Sequence, residues 1–209
     1  EEAMPRSISV SGYGTERVPT TLAAVQLGVE AQGKTPLEVQ QEVARRSSAV
    51  VDYLRSQSVS QLQTQSLSLT PLYDYSGSEQ KIVGYSASNM VSFRVDTARV
   101  GSLLDEVVQR GASRIDSMQF VATEEAITEA RQVALVEATE DAQRQADAVL
   151  KALGLSRHSV LGIQINNAPS FSPSPNVVYA MESAKASVST PVVGGEQQVE
   201  ATVTIHFSY

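Results

Sequence analysis

The sequence contains no cysteine and only two histidines. Without cysteine, disulfides, thiolate metal sites and thiol nucleophiles are all excluded. His158 and His206 stand far apart in the chain, and no His-Glu-x-x-His pattern predicts a zinc site. The Gly-x-Ser-x-Gly pentapeptide of a serine hydrolase is also missing. We therefore predict no catalytic residue, no metal site, no cofactor and no enzymatic activity; a centre built from distant residues would need a histidine beside a buried carboxylate.

Long apolar runs are absent as well. None approaches the roughly 20 residues that a membrane-spanning helix needs, so no transmembrane span is predicted. The first residues show no basic-then-apolar leader. The chain opens at Glu1 without an initiator methionine, which fits a removed signal peptide and equally an arbitrary boundary.

The charge of the chain is moderately acidic and evenly spread. There are 23 acidic and 16 basic residues, giving a formal net charge of -7 without any block of like charges. Nucleic acids and anionic membranes favour a clustered basic face. The charge pattern therefore predicts neither as a partner.

With 209 residues, 42% of them hydrophobic, the chain can bury a sizeable core, and we predict one domain over residues 1–209. Residues 25–29 alternate as in a half-buried strand. Residues 35–38, Thr-Pro-Leu-Glu, form a capping box with proline at the first helical position, and the helix they begin continues to about Gln57.

A hairpin and a second helix follow. Residues 67–71 and 83–95 alternate as two paired strands, and an amphipathic helix runs from about Thr97 to Gly111, where a left-handed cap favours glycine. Met118 and Phe120 mark a further strand. Residues from about 18 to 123 thus read strand, helix, strand, strand, helix, strand, which predicts an α+β fold with a split β-α-β-β-α-β core.

A long helix is predicted from about residue 124 to 153, with Gly154 just past its end. Alanine recurs along it at every fourth position, which gives the helix a ridge of small side chains. The ridge contains Ala126, Ala130, Ala134, Ala138, Ala142 and Ala146. Two interpretations stay open: the ridge packs on the protein's own sheet, or part of it packs against a second copy of the chain.

The terminal segments are predicted to add strands and loops. Ile8 and Val10 alternate with serines at the start, and residues 199–209 alternate without a break, so the last strand is expected inside the sheet. Between residues 158 and 199 we predict a strand from Val160 to Ile165, an exposed Pro-Ser loop over 168–175 and a short strand at 177–179.

Two short motifs have alternative interpretations. Gly12-Tyr13-Gly14 is similar to a phosphate-binding turn, but the third glycine is missing, so a bulge or strand twist is the better prediction. Glu124, Glu125 and Glu129 are paired acids of the kind that bind a divalent ion. Acid-rich first turns of helices are ordinary, and the helix-dipole interpretation is preferred.

Aromatic residues supply the remaining candidate surface. Tyr73, Tyr75 and Tyr85 cluster around the predicted hairpin, and Phe171 lies in the Pro-Ser loop. They are candidates for a binding surface, although half-buried tyrosines are common in hairpins. With Ala130, Ala134, Ala138 and Ala142 they form the predicted binding or assembly surface.

The hairpin and its flanking motifs resemble the SIMPL-domain family. The string from Leu67 to Tyr75, followed by Gly84 to Asn89, is similar to the core signature of that family. Other matching motifs, in the family's order, are Gly12–Gly14, Gly28–Val29, Val100–Gly101, Leu104–Asp105, Ala130–Arg131, Ala134, Ala138, Thr190–Pro191, Gly195–Glu196 and the strand from Val199 to Phe207. Two positions depart from the pattern: Thr20 replaces a common aspartate and Asp141 a common lysine. Any function of those two positions in relatives is in doubt here.

The resemblance implies a bacterial protein of the periplasm or cell envelope, made with a signal peptide and linked to envelope or oxidative stress. The family has no established catalytic residues to carry over, and some relatives build ring or channel-like homo-oligomers. We therefore predict a non-enzymatic envelope protein that acts as a homo-oligomer and meets a protein partner at the envelope. The alternative is a monomeric ligand- or protein-binding module that uses the tyrosine hairpin and the Pro-Ser loop.

Overall fold

The structure is a computed structural model that describes residues 6–166 and 194–209. The described residues form two compact units: one comprises residues 20–121 with Gly194, and the other residues 6–19, 122–166 and 195–209. Residues 1–5, the Pro-Ser loop with Phe171, the predicted strand at 177–179 and the Thr190–Pro191 motif lie outside the described residues.

Three α-helices and seven β-strands make up the described chain. In chain order they are β1 (Ser7–Pro19), β2 (Leu22–Gly33), α1 (Pro36–Arg55), β3 (Ser60–Asp74), β4 (Lys81–Asp96), α2 (Thr97–Gln109), β5 (Arg114–Val121), α3 (Glu124–Ala152), β6 (Val160–Asn166) and β7 (Glu196–Ser208). None of these helices has the length and apolar character needed to cross a bilayer.

The unit of residues 20–121 has the predicted α+β arrangement. Its four strands form one antiparallel sheet in the order β3-β4-β2-β5, with α1 and α2 as the two crossover helices. The Thr35 hydroxyl accepts a hydrogen bond from the Glu38 amide (3.2 Å) and begins α1 as the capping box predicts. Gly111 follows α2 with φ +124°, a conformation that favours glycine. The split core is confirmed.

The core of this unit lies between the helices and one face of the sheet. β2 and β4 pair without a register shift from Leu22 opposite Asp96 to Gly33 opposite Tyr85. Alternate residues of both strands therefore point to the same side. Its most completely buried large side chains are Leu27, Val25, Val29, Val39, Val50, Leu54, Phe93, Val100 and Val107.

The other unit is a three-stranded antiparallel sheet with one long helix. The sheet order is β1-β7-β6, so the last strand lies in its centre, as predicted. β1 and β7 pair in unbroken register over Ser7–Pro19. Helix α3 runs from Glu124 to Ala152, close to its predicted bounds, and Thr123 caps it by accepting a hydrogen bond from the Ala126 amide (3.1 Å).

Glycines on β1 let α3 approach the sheet closely. A Cβ atom added to Gly12 would overlap the carbonyl oxygen of Ala138, and one added to Gly14 would overlap that of Ala134. The sequence predicts a bulge or a strand twist here. Because the β1–β7 register is unbroken at these residues, the bulge is wrong, and the twist stays a prediction. The two glycines instead remove the side chains that would separate strand from helix.

This contact predicts the effect of adding one methyl group. Gly12→Ala should lower the free energy of unfolding by about 3 kcal/mol, because the helix backbone has no room for the new Cβ. Gly162→Ala on β6 is the matched control, since its Cβ would meet only the His206 ring, at 3.7 Å. Urea unfolding of the two variants measures the difference, and equal stabilities would contradict the packing.

Candidate functional site

The described residues contain no catalytic constellation. His158 and His206 are both exposed, and neither imidazole hydrogen-bonds a carboxylate within residues 6–166 and 194–209. The same residues hold no group of three histidine, aspartate or glutamate side chains that could bind a metal ion. Glu124, Glu125 and Glu129 are exposed at the start of α3, where the helix dipole favours acidic residues.

The hairpin tyrosines do not form one surface. Tyr73 and Tyr75 have ring centroids 6.3 Å apart and are 41% and 72% exposed. The Gln80 amide donates a hydrogen bond to the Tyr75 hydroxyl (3.3 Å). Tyr85 is half-buried and packs against the core of residues 20–121. The structure therefore pairs two of the three tyrosines and gives the third a packing role.

The alanine ridge is occupied by the protein's own sheet. Ala130, Ala134, Ala138 and Ala142 are at most 6% exposed, and the last three lie against β1 or β7. The first of the two interpretations of the ridge therefore describes this fold. Because β1 fills the space that a second copy would need, the ridge is not available to a second copy in this fold.

Helix α3 also closes the outer edge of β1. Side chains on three successive helical turns bond to backbone groups of alternate strand residues. The hydrogen bonds run from the Thr15 amide to Glu137 Oε2 (3.1 Å), from the Tyr13 amide to Asp141 Oδ2 (2.9 Å) and from Gln145 Nε2 to the Ser11 carbonyl (3.0 Å). Four helical residues rise about 6 Å and two strand residues about 6.8 Å, so the two spacings nearly match.

Asp141 therefore has a structural role in this chain, at the position where the family resemblance predicts a lysine. Sequence reasoning did not identify Glu137, Asp141 and Gln145 as a set. The available signal was their spacing of four residues on the same helix as the alanine ridge. A lysine at position 141 could not accept the hydrogen bond from the Tyr13 amide.

The edge of β5 is protected by charge. Arg114 lies on this strand and pairs with Asp116 of the same strand and with Glu30 of β2 (3.0 Å). Hydrogen bonds to these two carboxylates raise the pKa of the Arg114 guanidinium, so it stays charged. Charged side chains on an edge strand discourage pairing with another chain.

Strands β3 and β6 are the two edges without such protection. β3 carries no charged side chain from Ser60 to Tyr73, and β6 carries none along its whole length. Exposed aliphatic residues lie on both. On β6 they are Val160, Leu161, Ile163 and Ile165, each 48–64% exposed. These two open edges are the surfaces of the described chain best suited to contact another molecule.

An ion pair fixes the segment between α3 and β6. Arg157 binds both carboxylate oxygens of Asp147 (2.9 and 3.2 Å), and its guanidinium lies 5.0 Å from the centre of the Phe207 ring. The hydrogen bond from Arg157 lowers the pKa of the Asp147 carboxyl.

The chain belongs to the SIMPL family, described as "Protein of unknown function (DUF541)", whose sequence model matches residues 8–207. Two similar proteins are each named "26 kDa periplasmic immunogenic protein", from Brucella melitensis biotype 1 and from Brucella abortus strain S19. Each is 28% identical to this chain over 214 residues, which covers 97% of this chain and 84% of the relative.

The lowered pKa of Asp147 predicts a pH-dependent contribution to stability. A group with a lowered folded pKa stabilises the fold above its unfolded pKa, about 3.9 for aspartate, and loses that effect as the pH falls through the folded value. Arg157→Gln should raise the Asp147 titration midpoint measured by NMR. The Arg157→Gln variant should have a lower free energy of unfolding than wild type at neutral pH, and this difference should shrink below about pH 4.

The control for this prediction is Arg144→Gln. Arg144 is an exposed arginine of α3, the helix that carries Asp147, and it pairs with Asp141 at 3.8 Å and not with Asp147. The Arg144→Gln substitution should leave the Asp147 titration midpoint unchanged. An Asp147 midpoint that is the same in wild type and Arg157→Gln would contradict the assignment.

Proposed function

We propose that this protein is a non-enzymatic component of the bacterial cell envelope that works as a homo-oligomer joined through its open strand edges. The observation that carries the proposal is the uncharged edge strand β6 with its four exposed aliphatic side chains. A periplasmic location is supported by the names of the two relatives. The link to envelope stress rests on the family resemblance alone.

The chemistry of β6 favours a second copy as its partner. Backbone amide and carbonyl groups of an edge strand can extend the sheet into another chain. The chain has a net charge of -7, so two copies repel each other over most of their surfaces, whereas β6 contributes no charge to that repulsion. Two β6 strands paired across a twofold axis would bring the aliphatic side chains of one copy beside those of the other and bury part of their exposed surface.

The energy available from this contact is substantial. Fully burying an aliphatic side chain contributes about 1.5–3 kcal/mol, and these side chains are already about half-buried. On that basis each contributes roughly 1 kcal/mol on association. The edge of β6 is only seven residues long. The longer open edge of β3 is therefore proposed to take part in the assembly as well.

Light scattering on the full chain tests the assembly. Wild type should have the mass of two or more chains. Ile163→Lys should shift the mass towards that of the monomer, because a lysine at the edge must be desolvated on pairing. Val136→Lys is the matched control, since Val136 is 58% exposed on α3. A wild-type monomer at high concentration would overturn the proposal, as would equal effects of the two lysines.

A second candidate function is a ligand-binding module, as the alternative prediction states. The observation that favours it lies between α1 and β3, where the structure has two pockets of about 290 and 350 Å³. The three hairpin tyrosines line neither of them.

A further inference from the structure

The four-stranded sheet has a cavity on the face that its helices leave uncovered. Helices α1 and α2 both pack on the opposite face, where Val25 and Phe93 are buried in the core. The cavity lies within the unit of residues 20–121 and is lined by residues of all four strands. Its volume is about 340 Å³, near the lower end of the roughly 300–1,000 Å³ that is usual for small-molecule sites.

Two neighbouring rows of residues across the sheet form this cavity, and the first row contains only glutamine and serine. In the strand order β3, β4, β2, β5 its members are Gln63, Ser92, Gln26 and Ser117. The Ser92 hydroxyl accepts a hydrogen bond from Gln65 Nε2 (2.7 Å) and keeps its own O–H to donate. Glutamine and serine side chains offer both donors and acceptors. The row can therefore bind groups that donate and accept at once, as alcohol hydroxyls do.

The second row places a cation beside a small side chain. Arg94 of β4 and Gln119 of β5 lie on either side of Ala24 of β2. Because alanine is short and both neighbours are long, the sheet surface is depressed at Ala24. Arg94 is half-buried, and its guanidinium has neither an ion pair nor a hydrogen bond with any residue of 6–166 or 194–209. It is therefore available to an anionic ligand.

The lining of the cavity restricts the kind of ligand. None of its described lining residues is acidic, so an ammonium group would find no counter-ion there. Apart from Ala24, the side chains that face the cavity are polar, because those of Val25 and Phe93 lie in the core on the other face. An apolar ligand would therefore gain little contact. One guanidinium matches one carboxylate, to which it can donate two parallel hydrogen bonds.

We propose that this cavity binds a sugar carboxylate, of which a hexuronic acid is the simplest example. The Arg94 guanidinium pairs with the carboxylate, the ring lies over Ala24, and the side-chain amides of Gln26 and Gln119 bond to the ring hydroxyls. A sugar phosphate suits the cavity less well. A phosphate monoester carries about -1.5 to -2 charges near pH 7 and would meet one guanidinium in a chain of net charge -7. This inference does not depend on the proposed assembly.

Titrations of the full chain, followed through its amide NMR signals, test the ligand class. Methyl glucuronide should bind saturably and shift the signals of β2 and β4 around Ala24. Methyl glucoside has the same ring without the charge, and acetate has the charge without the ring. Both should bind at least about fivefold more weakly, as should glucose 6-phosphate. No binding of methyl glucuronide, or an equal or higher affinity for any of the other three compounds, would overturn the proposal.

Arg94→Gln tests the role of the cation. It should weaken the binding of methyl glucuronide at least about fivefold and leave the affinity for methyl glucoside unchanged, because only the first compound carries a carboxylate. The matched control is Arg45→Gln on α1, whose guanidinium pairs with Glu42 at 2.7 Å, and it should change neither affinity. Equal losses for both sugars in Arg94→Gln, or equal effects of the two substitutions, would contradict the assignment.

Ala24→Val separates binding from stability. Valine favours strands, and its side chain would lie on the uncovered face, so the free energy of unfolding measured in urea should be unchanged or higher. The added methyl groups fill the depression and should weaken the binding of both sugars at least about fivefold. An Ala24→Val variant that binds methyl glucuronide as wild type does would contradict the placement of the ring.

Discussion

The contact between α3 and β1 determines the organisation of its whole unit. Gly12 and Gly14 on the strand and the alanines on the helix let two backbones approach within van der Waals distance. At that separation Glu137 and Asp141 reach the outer amides of β1. One packing arrangement thus buries the alanine face of the helix and closes the edge of β1, and it excludes the alanine ridge from intermolecular contact.

The four sheet edges differ in what covers them. Helix side chains close β1, and Arg114 with its partners protects β5. Within the described residues, no side chain hydrogen-bonds to the backbone of β3 or β6, and both strands are uncharged over most of their length. An uncharged apolar edge is a liability for a protein that has to stay monomeric. Its presence at β6 is the physical argument for an assembly, in a family to which no activity is assigned.

Local sequence signals predicted the elements well, because their causes lie within a few residues. Each of three signals comes from residues that are close together in the chain: the Thr35 cap, the alternation along β4 and the glycine at position 111. The same approach could not show that Asp141 binds the Tyr13 amide, since 128 residues separate the two partners. Nor could it show that Tyr85 packs against the core while Tyr73 lies on the surface, because strand alternation is similar at both.

Hydrogen exchange at increasing protein concentration tests the contrast between closed and open edges most directly. The account predicts that the Tyr13 and Thr15 amides are protected at every concentration, because α3 of the same chain binds them. The β6 amides that do not bond to β7 should gain protection only as the concentration rises and copies associate. Exchange of these β6 amides that stays independent of concentration, in a range where light scattering shows that copies associate, would contradict it.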